Sequence, residues 1–186
     1  MMPASDWITD EIFTVSDFFS VAECAEYIQL AESKGFTDAP INTTAGAEVV
    51  KDIRNNTRVM VDDVDRARQL WRRAAHWVPK FIDRWRAVGI NERLRFYRYD
   101  CGQRFEWHYD GFFERPDGER SKLTFMIYLN DDFEGGQTSF EEAAIAPRQG
   151  MALFFVHQIR HKGEPVLKGR KYVLRTDVMY RIDAAA

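Results

Sequence analysis

With 186 residues, 45% of them hydrophobic, the chain is long enough to bury one globular core as a single domain. Its net charge of −3 argues against a nucleic-acid binder that works by neutralising phosphates. Two cysteines, Cys24 and Cys101, fit neither a disulfide framework nor a thiolate zinc site, so a reducing cytoplasm is the expected compartment. The opening MMPASDWITDEIF has Asp6, Asp10 and Glu11 where a secretory signal needs basic and then apolar residues. No apolar run approaches the roughly 18 residues of a membrane span, so no membrane partner is expected.

The first half reads as helical. Ser16 and Ser20 are candidate caps, and Cys24, Tyr27, Ile28, Leu30 and Ala31 form an apolar stripe that predicts a helix over about residues 20–34, ended by Gly35. From Thr37 to Asp62 the text is polar and irregular, with one short strand at Arg58-Val59-Met60-Val61. Ala67, Leu70, Trp71, Ala74, Val78, Phe81, Ile82 and Trp85 recur at three- and four-residue steps, predicting a second helical region from about Asp63 to Arg86 that Pro79 breaks or kinks.

After Gly89 the period changes to two. Leu94–Asp100, Arg104–Asp110, Leu123–Asn130, Gln137–Phe140, Met151–His157 and Tyr172–Arg181 read as strands between Gly-, Pro- or Asp-rich turns. Helices followed by short strands predict an α+β chain: a jelly-roll core over about residues 91–183, buttressed by helical support over about 1–90. No linker composition separates the two parts.

His108-Tyr109-Asp110 and the distant His161 carry the chemistry. Two imidazoles and one carboxylate, with other coordination positions open, make the facial triad of non-haem Fe(II) oxygenases. In a strand, residues i and i+2 point the same way, so His108 and Asp110 can hold one face of a metal. Each residue alone has a plainer explanation: a strand histidine is usually a hydrogen-bonded structural residue, and Asp110 before Gly111 could start a turn. His157, at the end of an apolar strand, is the rival for the third position.

Three segments give the trio its context. RYDCGQRFEWHYD (Arg98–Asp110), LTFMIYLNDDFEGGQTSF and HKGEPVLKGRKYVL occur in that order, and each resembles a segment of the prolyl 4-hydroxylases. The resemblance implies a 2-oxoglutarate- and Fe(II)-dependent dioxygenase on a double-stranded β-helix, with O₂ as co-substrate and ascorbate as a candidate accessory reductant. It favours His161 over His157 as the last ligand and places Lys171 as the cation that clamps 2-oxoglutarate. Lys171, Val173, Arg175 and Asp177 alternate onto one strand face, so Arg175 competes for that role; Lys171 is preferred, with Arg175 pairing elsewhere. Tyr128 matches the position whose phenol bonds the same carboxylate. Thr124 lies on the same strand face, and Tyr99 matches the tyrosine expected to project near the metal. Arg98 alternates to the opposite face. Trp107 flanks His108 and is either a cleft wall or a core residue.

The substrate is less legible. Lys51–Arg58 is the best polar stretch for contacting it, through Arg54, Asn56 and Arg58, which suit peptide carbonyls or a small acid's carboxylate. Phe112–Ser121, with Pro116-Asp117-Gly118, reads as a flap just after the metal pair. The leading expectation is hydroxylation of a C–H bond, most of all in a peptidyl proline. A free amino acid or small metabolite is the alternative within the class, and a cupin-like protein holding a metal for non-redox purposes is the alternative outside it. Lys171 and Tyr128 separate the last, because a cupin needs no carboxylate clamp opposite its metal. The oligomeric state is not readable from the chain.

Overall fold

The computed structural model describes residues 3–44 and 46–183 of the chain. It opens on a hairpin of β1 (Ala4–Thr9) and β2 (Ile12–Ser16), which precedes both helices and was not expected from the sequence. The partner that buries β2 is remote in sequence: Ile12–Val15 pair with Ala152–Phe155, and Phe13 stacks on Phe154 with ring centroids 4.7 Å apart. A short run whose support lies that far away carries no local signal.

The first helix follows expectation. Ser20 caps α1 (Val21–Lys34) with a reciprocal capping box, its side chain accepting from the Glu23 amide at 3.2 Å while the Glu23 carboxylate accepts from the Ser20 amide at 2.8 Å. After β3 (Thr57–Asp62), Asp63 caps α2 (Val64–Ala74) by accepting from the Arg66 amide at 2.8 Å. The helix expected to reach Arg86 therefore stops at Ala74. Phe81–Ile82 turns back on Trp85–Arg86 through Asp83, whose φ is 50°, and β4 (Trp85–Ile90) joins the sheet. The three- and four-residue steps are real but spread over a helix end, a turn and a strand that share one core. Pro79 has no N–H with which to continue the helix.

The strands that frame the rest of the two main sheets are β5 (Arg93–Tyr99), β6 (Phe105–His108), β7 (Arg120–Tyr128), β8 (Thr138–Phe140), β9 (Ala144–Ile145), β10 (Ala152–Val156), β11 (His161–Gly163) and β12 (Lys171–Ile182), with shorter two- and three-residue strands between them. All six strands expected after Gly89 are present. The larger antiparallel sheet runs β1-β2-β10-β7-β12-β5-β3 and ends on the short Thr37–Asp38 strand beside β3, with β4 also paired to β12. The smaller runs β6-β11-β8-β9. This is the jelly roll, supported on its outside by two helices and widened by strands from the first 90 residues.

Alternation divides the larger sheet into two faces. Leu94, Phe96, Leu123, Phe125, Leu174 and Val178 pack outward under Tyr27, Ala31, Ala67 and Leu70 of the helices. Tyr128, Leu153, Phe155 and Val173 pack inward against Phe140 and Ile145 from the smaller-sheet side. Each such side chain contributes roughly 1.5–3 kcal/mol of apolar burial, which locks the register. With Val173 fixed inward, Lys171, Arg175 and Asp177 also turn into the barrel.

Candidate active site

β6 and β11 are antiparallel neighbours, and their register sets His108 opposite His161. Asp110 lies just past the end of β6. Ligand atoms from these three residues all come within 4.8 Å of one another. The two imidazoles are oriented by the backbone: His108 Nδ1 is 2.7 Å from the Glu106 carbonyl and His161 Nδ1 is 3.0 Å from the Ile159 carbonyl. A carbonyl can only accept, so both Nδ1 atoms carry the proton and both Nε2 lone pairs are free. They face Asp110, at 3.9 Å from Oδ1 for His108 and 3.7 Å from Oδ2 for His161. Burial, then the neighbouring His161, pushes His108 down to about 3, so it stays neutral as a metal ligand must. Two neutral imidazoles and a carboxylate, each tied from behind, fit an Fe(II) ion.

Asp110 is buttressed in two ways. Thr124 donates to its Oδ2 at 2.5 Å, and Thr124 Oγ1 lies 3.0 Å from His157 Nδ1. His157 Nε2 is 2.9 Å from Ser121 Oγ, which accepts from the Phe113 amide at 2.8 Å. One assignment satisfies every group: Phe113 N–H to Ser121, Ser121 O–H to His157 Nε2, His157 Nδ1–H to Thr124, Thr124 O–H to Asp110. His157 thus stands behind Thr124, and His161 is the histidine brought to the trio. Arg175 is the second support, with Nη2 at 3.2 Å from Asp110 Oδ2 and 3.0 Å from Asp177 Oδ1. Burial alone would raise the Asp110 carboxyl, but the Arg175 guanidinium leads the interactions that outweigh it and hold it well below the usual carboxylate range.

Lys171 stands apart from these pairs. It is 2% exposed, and its Nζ donates to the Gly136 carbonyl at 2.5 Å and lies 5.3 Å from the ring centroids of both Tyr99 and Tyr128. No carboxylate pairs with it among the described residues. Burial pushes its ammonium down to about 7. Gly136 therefore supplies the acceptor that holds the lysine. Its φ is 64°, a backbone conformation that favours glycine, and a methyl group placed on its Cα would crowd Lys171 Cδ at 3.2 Å. Tyr128 is engaged with Thr138, their oxygens 2.7 Å apart, and backs the lysine instead of lining the cavity.

A cavity of about 600 Å³ joins the trio to Lys171, and Tyr99, Thr124 and Arg175 also line it. Arg54 and Arg58 line its wall, as do Phe112 and Phe113 from the start of the expected flap. The rest of that segment is tied down: Arg115 pairs with Glu119 at 2.6 Å and with Glu92. Two expected substrate residues fall elsewhere. Asn56 is fully buried, accepts from Arg54 Nε at 2.8 Å and donates to the Thr57 carbonyl at 2.9 Å, because its side chain turns inward to hold the arginine. Trp107 is neither core nor cavity wall; alternation from His108 turns it outward beneath the Arg160 and Lys162 cations. Arg98 lies on the helix side, 3.2 Å from Glu32. Sequence reasoning passed over Arg95, Tyr97 and Phe105, all of which line the cavity. Alternation back from Tyr99 would have found the first two.

Residues 94–176 match the 2OG-Fe(II) oxygenase superfamily. Probable prolyl 4-hydroxylase 3 of Arabidopsis thaliana is 25% identical over 199 aligned residues, covering 86% of this chain and 66% of that protein; the chain thus spans about two thirds of that relative's length. Among solved structures, the viral collagen prolyl hydroxylase of Paramecium Bursaria Chlorella virus-1, in complex with 2-oxoglutarate, superposes with a TM-score of 0.64 at 21% identity, covering 91% of this chain and 96% of that one. A Trichoplax adhaerens prolyl hydroxylase, in complex with a hypoxia inducible factor peptide fragment, superposes with a TM-score of 0.68 at 18% identity, covering 91% and 84%. The motif-bearing strands thus lie inside the segment that matches the 2OG-Fe(II) oxygenase superfamily, and the fold around them is the one these prolyl hydroxylase structures share.

Proposed function

We propose that the chain is a 2-oxoglutarate- and Fe(II)-dependent hydroxylase that acts on a prolyl residue of a peptide. The observation that carries this reading is one cavity with a His-Asp-His trio at one place and an unpaired, buried Lys171 at another. His108, Asp110 and His161 would hold the metal, and Lys171 would take the distal carboxylate of the oxoacid. Bound there, Fe(II) with 2-oxoglutarate and O₂ supplies the oxidation: the oxoacid is decarboxylated to succinate and one oxygen atom enters a substrate C–H bond. The chain's own part is positioning. Glu106 and Ile159 carbonyls hold the imidazole rings, Thr124 and Arg175 hold Asp110, and Phe155 and Val173 give the cavity apolar walls. A cupin-like metal protein would leave Lys171 with no partner, at the cost that attends any buried charge. The peptidyl choice draws on the plant, viral and animal relatives, whose names describe prolyl hydroxylases.

Lys171 makes the reading testable by pH. A carboxylate needs the protonated amine, and burial lowers that proton's pKa to about 7. Affinity for 2-oxoglutarate should therefore be flat below about pH 7 and fall roughly tenfold per unit above it. Calorimetric titration of the Mn(II)-loaded protein from pH 6 to 9 reads this directly, and an affinity that stays constant or rises to pH 9 contradicts the clamp. The stability of the ligand-free protein runs the other way. Between about 7 and the ordinary lysine value of 10.5 the unfolded chain binds the proton that the fold excludes, so this group adds stability as pH rises through that window.

A further inference from the structure

The cavity holds more positive charge than the metal site and the oxoacid clamp use. Arg54, Arg58, Arg95, Lys171 and Arg175 all line it, whereas Asp110 is its sole carboxylate among the described residues. Arg175 is matched by Asp110 and Asp177, and Arg95 lies 3.1 Å from Asp177 Oδ2. That leaves Arg54 and Arg58, neither of which has an ion pair among the described residues.

Arg54 is built into place. Its guanidinium carbon sits 4.5 Å from the Tyr97 ring centroid and 4.3 Å from that of Phe105, clamped between two aromatic faces. Phe105 in turn stacks on His108 with centroids 3.5 Å apart, so the arginine is one ring removed from the metal trio. Clamped in this way, a guanidinium keeps only its in-plane N–H groups for bonding. Nε is taken up by Asn56, and Nη2 is buried with no partner although the whole side chain is 5% exposed. Arg58 stands opposite Tyr97 in the β3–β5 register and therefore shares the cavity face with Arg95 and Tyr97. Burial, followed by the repulsion of Arg54 and Arg95, lowers the Arg58 proton affinity. Nothing in the fold accounts for two unmatched cations here, and like charges held together favour binding an anion.

We infer that Arg54 and Arg58 form an anion subsite that binds a carboxylate of the substrate beside the carbon to be oxidised. This deepens the hydroxylase reading and rests on it: the substrate is acidic, either a peptide whose proline is flanked by Asp or Glu, or a molecule carrying a free carboxylate of its own. A planar carboxylate matches the paired N–H groups of a guanidinium, and phenol and phenyl walls keep water from competing for them.

The test is binding to the protein loaded with Mn(II) and saturating 2-oxoglutarate, so that Lys171 is already occupied. One probe pair is a proline-centred peptide flanked by Asp and Glu against the same peptide with Asn and Gln. The other is N-acetylproline against N-acetylprolinamide. At least one acid should bind tenfold or more tightly than its neutral counterpart. Arg58→Gln, a partly exposed position suited to substitution, should cut that preference below threefold, and Arg58→Lys should retain part of it. The peptide pair responding places the carboxylate on flanking side chains; the acetylproline pair responding places it on the reacting molecule. If neither acid outbinds its neutral partner, or if the preference survives intact in both Arg58→Gln and Arg54→Gln, the subsite is wrong. The prolyl reading fails separately: an acidic peptide with Ala for Pro that binds and stimulates succinate formation equally well would remove it and leave the subsite standing.

Discussion

Asp110→Ala is expected to abolish metal binding and turnover together. The substitution removes the one anionic ligand and takes from Arg175, which now leans on Asp110 Oδ2 at 3.2 Å, one of its two carboxylate partners, leaving it only Asp177, which Arg95 shares. Removing one partner of a buried charge pair costs about 3–5 kcal/mol, and 4 kcal/mol is close to a thousandfold in affinity. Anaerobic calorimetry with Fe(II) measures it, and unchanged stoichiometry and affinity in the variant would refute the trio. His161→Ala should behave alike. His157→Ala is the informative contrast: it removes a link that reaches Asp110 only through Thr124, so it should weaken metal affinity about ten- to a hundredfold without removing the site. Full loss in His157→Ala with retention in His161→Ala would reverse the two histidines.

Lys171→Ala should raise the apparent KM for 2-oxoglutarate thirty- to a thousandfold while the metal still binds. A charge-assisted pair in a buried site is worth about 2–4 kcal/mol when one partner is deleted. Arg175→Ala should show the opposite profile, a loss of metal affinity, because its two partners are Asp110 and Asp177. Should Arg175→Ala raise KM for 2-oxoglutarate at unchanged metal affinity, while Lys171→Ala leaves KM alone, the clamp belongs to Arg175.

What is legible in the chain is whatever obeys a local period. His108 and Asp110 two apart, and Lys171, Val173 and Arg175 in alternation, declare their shared faces by spacing alone, and α1 announces itself with a cap, a stripe and a glycine. What depends on partners elsewhere is hidden. β2 is stabilised by β10, and the helical steps near Pro79 dissolve into a strand because β12 is there to pair with it. Asn56 reads as a donor for substrate because nothing in DIRNNTR says which asparagine turns inward; Arg54 Nε decides that. Arg95 and Tyr97 follow the same alternation as Tyr99 but are unreadable until one residue of β5 is anchored to the cavity. The choice between Lys171 and Arg175 is open for the same reason: both face inward, and only the position of Asp177 reveals which of the two is already neutralised.

Lys171 and Arg175 also sit on one continuous hydrogen-bonded strand, with β7 on one side and β5 on the other. Four residues of extended chain span roughly 13 Å at about 3.3 Å per residue. That strand is a ruler. One end carries the unpaired ammonium, paired across to Tyr99 of β5, and the other grips the carboxylate of the metal trio from a position laddered to both β5 and β7, so neither can drift without breaking ladder bonds. In the proposed reading, an oxoacid bridging the two groups is selected by its length as well as its charge. A dicarboxylate one carbon shorter or longer than 2-oxoglutarate is therefore expected to bind the Mn(II)-loaded protein less tightly by calorimetry.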